Sequence, residues 1–139
     1  MPLTNPNSPL PRISIITVVK NGKPFVAQTL GSVIGQRYAN LEYIVIDGGS
    51  TDGTVDVIKS YAAGIAKWTS ENDEGIADAF NKGLALATGD YILILNADDA
   101  LATPDVLQKI AEEIIRNDFP AILYGDYDIL GRSTGELIS

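Results

Sequence analysis

Hydrophobic and polar residues follow two different patterns along this chain. Short apolar runs at residues 13–19, 41–47, 65–69, 91–96 and 121–126 alternate with longer segments in which apolar residues recur every three or four positions. Continuous apolar runs are typical of parallel strands covered on both faces, and the longer spacing is typical of amphipathic helices. The pattern therefore predicts an α/β fold of Rossmann-like type, with a mostly parallel sheet and helices on both faces.

Four segments have the spacing of a helix. The last of them has the clearest start, because Thr103 suits the N-cap and Pro104 suits the first helical position. Gly83 lies inside the third, where glycine costs about 1 kcal/mol relative to alanine, so we expect backbone to approach closely there. The apolar helical positions are Val26, Leu30, Val33 and Ile34; Val55, Ile58, Tyr61 and Ala62; Ile76, Ala79, Phe80, Leu84 and Ala87; Val106, Leu107, Ile110, Ala111, Ile114 and Ile115.

The length of the chain predicts one domain, since 139 residues can bury one sizeable core. Four prolines among the first eleven residues predict a flexible tail at residues 1–11, followed by a domain at residues 12–139. No apolar run approaches the roughly 18 to 20 residues that span a bilayer, and the N-terminal sequence lacks a signal-peptide pattern. We therefore expect a cytoplasmic protein.

Charge and the missing residue types narrow the chemistry. The chain has 10 basic and 18 acidic residues, a net charge of −8, which argues against an electrostatic nucleic-acid binder. It has no cysteine and no histidine. Disulfides, thiolate chemistry and imidazole ligands are therefore excluded, and any acid, base or metal ligand must be a carboxylate.

Polar and mostly acidic segments follow four successive predicted strands, at residues 20–22, 47–54, 70–75 and 96–99. Ligands of open parallel sheets bind beyond the carboxyl ends of the strands, so these segments should share one edge of the sheet. Asp98 and Asp99 are adjacent there and could hold Mg²⁺ or Mn²⁺, which prefer oxygen ligands. A polar strand-to-helix loop without a metal would be rich in aspartate too, and both interpretations stay open.

The segment DGGSTDG at residues 47–53 combines acids, hydroxyls and glycines directly before a helix. We favour a ligand-binding role for Asp47, at the strand end, and a helix-capping role for Asp52. The segment matches neither GxGxxG nor the phosphate loop of ATPases. On the next helix, Asp78 and Lys82 are four residues apart, which predicts a surface ion pair; contact of Asp73, Asp78 or Lys82 with a bound ligand is the alternative.

Taken in order, these segments resemble family 2 of the inverting glycosyltransferases, which have the GT-A fold. ISIITVVKNGKPFVAQTLGSVIGQ is similar to the first strand and helix of the family, and YIVIDGGSTDGT is similar to its second-strand motif. GIADAFNKGLALATGDYILILNADD resembles the helix and strand that lead into the family's acidic metal motif. Residues 71–76 and 124–126 are similar to the colanic-acid and related exopolysaccharide branch. The resemblance runs from about residue 11 to residue 126.

The resemblance implies transfer of a sugar in bacterial polysaccharide or glycoconjugate synthesis. The donor would be a nucleoside-diphosphate sugar, a UDP-sugar first among them, and the acceptor a glycan or a lipid-linked sugar. Asp47 would contact the base, Asp98 the ribose or the metal, and Asp99 an Mn²⁺ or Mg²⁺ ion bridging the two phosphates. Asn96 departs from the family, which often has aspartate there. The remaining donor-binding positions would be Thr17, Val19, Asn21, Asp78 and Lys82.

The resemblance also implies a catalytic base well downstream of the metal motif, and we find no second acidic motif of that kind. Asp126 and Asp128 are available carboxylates in an unfavourable position. We therefore expect the N-terminal, donor-binding part of a longer enzyme, without its acceptor-binding part; contact of the parent protein with a membrane stays open. A donor-binding or regulatory module without turnover, a sugar nucleotidyltransferase and a plain interaction domain are the alternatives.

Overall fold

The computed structural model describes residues 10–118 and the backbone of residues 129–130 and 137–138. Strands and helices alternate along the first of these ranges, as the apolar pattern predicts. The predicted strand at 121–126, with Asp126, and the neighbouring Asp128 lie outside the described residues. The elements are β1 Ile13–Val19, α1 Lys23–Ile34, β2 Leu41–Asp47, α2 Thr54–Ser60, a 3-10 turn at Ala62–Gly64, β3 Lys67–Ser70, α3 Ile76–Leu86, β4 Tyr91–Ile94, α4 Val106–Arg116, β5 Ile129–Leu130 and β6 Leu137–Ile138.

The first four strands form one parallel sheet in the order β3-β2-β1-β4. β1 and β2 pair along their whole length, from Ile13 opposite Leu41 to Val19 opposite Asp47. β5 and β6 pair with each other in antiparallel fashion. The predicted α/β fold with a mostly parallel sheet is confirmed.

Helices cover both faces of the four-stranded sheet. Apolar residues of α1, α2 and α4, including Leu30, Ile58 and Leu107, share one core cluster with one face of β1 and β2. α3 packs on the other face, over Ile16, Val18, Ile44 and Ile46. Gly83 leaves no room for a side chain, because a Cβ there would lie 2.5 Å from Cγ2 of Ile16. The close neighbour at Gly83 is therefore the side chain of Ile16 and not the backbone that the sequence predicted.

The two outer strands of this sheet differ from the prediction. β3 begins at Lys67 rather than residue 65, and β4 ends at Ile94 rather than residue 96. The 3-10 turn ends at Gly64, and the Ile65 amide still donates to the Ala62 carbonyl of that turn, so the strand begins after it. β4 pairs on one side with β1, and its side chains alternate between half-buried and exposed, with Ile92 and Ile94 both outside. A continuous apolar run therefore overstated how deeply β4 is buried.

The predicted start of α4 is wrong. The helix begins at Val106, its N-cap is Asp105, and no side chain at that cap position bonds to the helix. The Thr103 hydroxyl donates to the Asp105 carboxylate instead. An amide in the first turn of α4 bonds to a residue outside the helix: Oε1 of Gln36, just beyond the end of α1, accepts a hydrogen bond of 3.0 Å from the Leu107 amide.

A buried carboxylate stabilises the edge of the sheet at which the strands begin. Glu42, 2% exposed, lies at the start of β2. It accepts hydrogen bonds from the hydroxyl of Ser14 and from the amide and hydroxyl of Thr88, and it pairs with Arg12 and Lys67, each at 3.2 Å. Burial by itself would raise the pKa of Glu42, but these hydrogen bonds outweigh it and lower that pKa from 4.5 to about 2.

Two residues of the predicted tail belong to the folded unit. Pro11 is buried, and its carbonyl accepts a hydrogen bond from the Tyr38 hydroxyl, while the Leu10 carbonyl accepts one from Asn40. Residues 1–9 lie outside the described part. No helix among the described residues is long and apolar enough to cross a membrane.

Candidate functional site at the carboxyl ends of the strands

The four parallel strands end along one edge of the sheet, which we call the rim. Its polar residues come from four loops: Asn21 after β1, Asp47 at the end of β2, Ser70 at the end of β3, and Asp98 with Asp99 after β4. In the spatial order of the strands, the loop after β1 lies between those after β2 and β4. The rim therefore brings the predicted acids of distant sequence positions to one side of the molecule.

Asp47 is fully buried at the rim, and hydrogen bonds from neighbouring amides and hydroxyls fix its carboxylate. It accepts hydrogen bonds from the amides of Gly49 and Ser50, at 3.1 and 2.9 Å, and from the hydroxyls of Ser50 and Ser70, at 2.5 and 2.8 Å. These four bonds fix the tight turn after β2, in which Gly49 has a φ of +90°. The predicted contact of Asp47 with a base stays a prediction, and such a contact would replace or share some of these donors.

The loops after β1 and β2 are bound to each other. The Asn21 amide donates to the Ser50 hydroxyl, and the Asn21 side-chain oxygen accepts from the Thr51 amide at 2.8 Å. Asp52 accepts from the amide of Thr54 at the start of α2 and from the amide of Lys23 at the start of α1. The N-cap residue of α2 is Gly53, so Asp52 lies one position before the predicted cap, yet its carboxylate accepts from the first amides of both α2 and α1. The hydrogen bonds from Thr54 and these amides lower the pKa of Asp52.

Thr17 and Val19 lie in the core beneath the rim. The Thr17 hydroxyl is 2.9 Å from the Tyr43 hydroxyl, and both residues are buried. Val19 belongs to the apolar cluster between the sheet and α1. The structure gives both residues a packing role, and the predicted contact of either with a base stays a prediction.

The acidic loop after β3 packs against the glycine turn after β2. A Cβ at Gly48 would lie 2.7 Å from the Asp73 carboxylate, and one at Gly49 would lie 2.2 Å from the Asn72 side-chain oxygen. A side chain at Gly48 would push the Asp73 carboxylate aside, and one at Gly49 would also press on the backbone of Asn72. The turn after β2 and the loop after β3 therefore pack closely at these two glycines.

Lys82 on α3 holds the acidic loop in place. Its ammonium group lies 3.1 Å from the Glu71 carboxylate and 3.6 Å from the Asp78 carboxylate, so the predicted ion pair with Asp78 is confirmed. Asp78 also accepts from the Glu74 amide. The hydrogen bond to Glu71 is the main cause of a raised pKa for Lys82. Contact of Asp78 or Lys82 with a donor stays a prediction.

Asp98 and Asp99 lie exposed on the loop between β4 and α4. Among the described residues, no three Asp, Glu, His or Cys side chains gather into a metal cage. This donor set fits a cation that takes one or two carboxylates and completes its shell with phosphate oxygens and water, as Mg²⁺ commonly does. The chemistry of the loop therefore suits a metal shared with a phosphorylated ligand.

One feature of the rim was not predicted. Three polar side chains of α1 and its end, Thr29, Ser32 and Gln36, bond to the loop that carries Asp98 and Asp99. Their spacing of three and four positions could have indicated a polar side of the helix. The prediction missed them because they interrupt an apolar face and their partners lie about 70 positions away in the sequence.

Residues 14–133 match the family model described as Glycosyl transferase family 2. The chain is 35% identical over 127 residues to the PGL/p-HBAD biosynthesis glycosyltransferase of Mycobacterium bovis (strain BCG / Pasteur 1173P2), covering 89% of the chain and 49% of that relative. It is 35% identical over 121 residues to an uncharacterized glycosyltransferase of Haemophilus influenzae, covering 85% and 48%. The chain thus spans about half the length of these curated relatives.

Solved structures have the same architecture. The mannosyltransferase PcManGT from Pyrobaculum calidifontis, in complex with GDP-Man and Mn²⁺, superposes with a TM-score of 0.69 at 30% identity, covering 75% of the chain and 32% of that protein. A fragment of S. aureus TarS, residues 1–349, superposes with a TM-score of 0.70 at 24% identity, covering 77% and 33%. The likeness to TarS concerns the fold alone.

Proposed function

Because the chain belongs to glycosyltransferase family 2, we propose that its rim binds the nucleoside-diphosphate sugar of a glycosyl-transfer reaction. The observation that carries this proposal is the pair of exposed carboxylates, Asp98 and Asp99, on a loop at the carboxyl end of a parallel strand. Ligand sites of open α/β sheets lie at this edge. A divalent cation allows a chain with a net charge of −8 to hold a diphosphate, and these two residues are suited to bind one.

The cation would be Mn²⁺ or Mg²⁺, held by Asp99 and Asp98. When bound, it would neutralise the negative charge of the nucleoside diphosphate, which is the leaving group of the reaction. The Mn²⁺ in the PcManGT complex supports this part of the proposal. The chain's own contribution is to present two hard oxygen ligands on a fixed backbone, next to the loop after β1.

The base-binding side of the site would lie over the loops after β1 and β2, where Asn21 and Asp47 are held. We propose that Asp47 acts there by fixing the turn after β2 through the amides of Gly49 and Ser50. Direct base contact by Thr17, Val19, Asn21 or Asp47 is the finer prediction. Asp78 and Lys82, which bond to the acidic loop after β3, would border the diphosphate or the sugar. Two donors are to be tested first. A UDP-sugar is the donor that the sequence resemblance implies first, and a GDP-sugar is of the class present in the PcManGT complex.

The acceptor would be a glycan or a lipid-linked sugar in polysaccharide or glycoconjugate synthesis, and the reaction would invert the anomeric centre. We assign the base that deprotonates the acceptor hydroxyl to none of the described residues. The specific likeness to the colanic-acid branch, a cytoplasmic location and peripheral membrane contact of the parent protein remain parts of the proposal.

Titration calorimetry with UDP-, GDP- and dTDP-sugars, with and without Mn²⁺, tests the donor site. We expect one nucleotide sugar to bind in a Mn²⁺-dependent manner and Asp99→Ala to weaken it at least about tenfold, as expected for losing a charged ligand. Asp90→Ala, at the opposite edge of the sheet, is the matched control and should bind normally. Failure of all three donors to bind would overturn the proposal. A product assay then distinguishes transfer from a donor-binding module without turnover.

A further inference from the structure

Three polar side chains on one side of α1, which we call the α1 polar stripe, face the loop between β4 and α4. They are Thr29, Ser32 and Gln36, the last just beyond the helix end at Ile34. Residues three and four positions apart lie on the same side of a helix. The neighbouring positions Leu30 and Val33 are buried apolar residues, so the stripe lies beside the core rather than in open solvent.

The stripe bonds to alternate residues of the loop, which we define as residues 95–105 and call the metal loop. The Thr29 hydroxyl lies 2.6 Å from the carbonyl oxygens of both Ala97 and Asp99. Ser32 accepts a 3.0 Å hydrogen bond from the Leu101 amide. Gln36 donates to the Thr103 carbonyl at 2.6 Å.

These bonds use the side chains fully. Thr29 is 1% exposed, and its one hydroxyl proton is shared between the two carbonyls on either side of Asp98. The Ser32 hydroxyl also donates to the Thr29 carbonyl, and Gln36 also donates to the Ser32 carbonyl and accepts from the Leu107 amide. The three residues therefore form one connected network, whose members depend on one another.

We propose that the α1 polar stripe positions the carboxylates of Asp98 and Asp99 by fixing the backbone of the metal loop. This inference rests on the proposed donor site. Thr29 is its central residue, since its hydroxyl holds the carbonyls that flank Asp98. The stripe touches neither metal nor donor; it acts through the loop, and a loop without it would leave backbone carbonyls near the core without their donor.

The variant Thr29→Val tests the role, because valine keeps the branched shape and removes the hydroxyl. We expect the dissociation constant of Mn²⁺, measured with the bound nucleotide, to rise about three- to tenfold, the range for one lost hydrogen bond. Thr29→Ser should restore tight binding. Ser14→Ala removes an equally buried hydroxyl at the opposite edge of the sheet and should leave Mn²⁺ binding unchanged.

Amide hydrogen exchange of Leu101 gives a second readout that needs no metal. We expect faster exchange in Thr29→Val and in Ser32→Ala than in the wild-type chain or Ser14→Ala. Wild-type Mn²⁺ binding in Thr29→Val, or unchanged exchange of Leu101 in both stripe variants, would overturn the inference. A wild-type chain that binds no Mn²⁺ with any nucleotide would overturn the proposed function instead, and the exchange rates would still decide whether the stripe fixes the loop.

Discussion

The buried carboxylate of Glu42 makes the stability of the fold depend on pH in a way that can be calculated. Its pKa in the folded chain is about 2, against an ordinary value of 4.5. At about 1.4 kcal/mol per pH unit, this difference corresponds to roughly 3 kcal/mol of folding stability. Arg12 and Lys67 are 42% and 39% exposed, so solvent weakens their part. We therefore expect about 2–3 kcal/mol from the ionised form of Glu42.

The sign follows from the direction of the shift. A carboxylate whose pKa is lowered by folding stabilises the protein fully above its unfolded pKa, and this stabilisation is lost as the pH falls toward its folded pKa. For Glu42 the loss should occur between about pH 5 and pH 2, the window set by the two pKa values. Glu42→Gln keeps the shape of the side chain and removes the charge, so it should abolish this part of the pH dependence.

Urea unfolding followed by fluorescence of Trp68, the single tryptophan, measures the effect. At pH 7 we expect Glu42→Gln to lower the free energy of unfolding by about 2–3 kcal/mol, and at pH 3 the difference should shrink to about 1 kcal/mol or less. Glu113→Gln, which removes an exposed partner of Arg116, should cost less than about 0.5 kcal/mol at either pH. A difference for Glu42→Gln that is equal at pH 7 and pH 3 would refute the role of its charge.

The glycines give the remaining predictions. Gly83→Ala should lower the free energy of unfolding by about 1–3 kcal/mol, because its Cβ would press on Ile16. Gly31→Ala should raise it by about 0.4–1 kcal/mol, because nothing lies within 4 Å of the added Cβ. Urea unfolding of both variants measures the two changes, and changes of equal sign would contradict the reasoning. Gly49→Ala should weaken nucleotide binding as well as stability, because it strains a backbone with φ of +90° and displaces Asn72. Titration calorimetry with the nucleotide sugar measures this effect, with Gly31→Ala as the control. An unchanged donor affinity of Gly49→Ala would contradict the prediction.

The central strands could be predicted to the residue, and the outer ones could not. β1 and β2 are paired on both sides and covered by helices on both faces, so every position is apolar or internally hydrogen-bonded, and a continuous run marks their ends correctly. β3 and β4 each pair on one side within the described sheet. Their ends are set by local turns and by exposure, which a run of apolar letters does not encode.

The acids of the rim could be predicted from strand ends, but their supports could not. Asp47 is held in part by Ser70, 23 positions away, and the Thr29 hydroxyl reaches Asp99 across 70 positions. The predicted start of α4 was wrong for the same reason, because the Leu107 amide donates to Gln36, which lies far away in the sequence. Such long-range hydrogen bonds depend on the packing of helices on the sheet, and sequence spacing within one segment carries no record of them.

The two acidic parts of the rim are anchored by separate sets of hydrogen bonds. Asp47 depends on its own turn and Ser70, whereas the backbone around Asp98 and Asp99 depends on α1. For protein engineering this separation is useful. If the proposed function holds, a library at Thr51, which bonds to Asn21 through its backbone amide, leaves both sets of side-chain hydrogen bonds in place, so nucleotide preference and metal affinity can be selected one after the other.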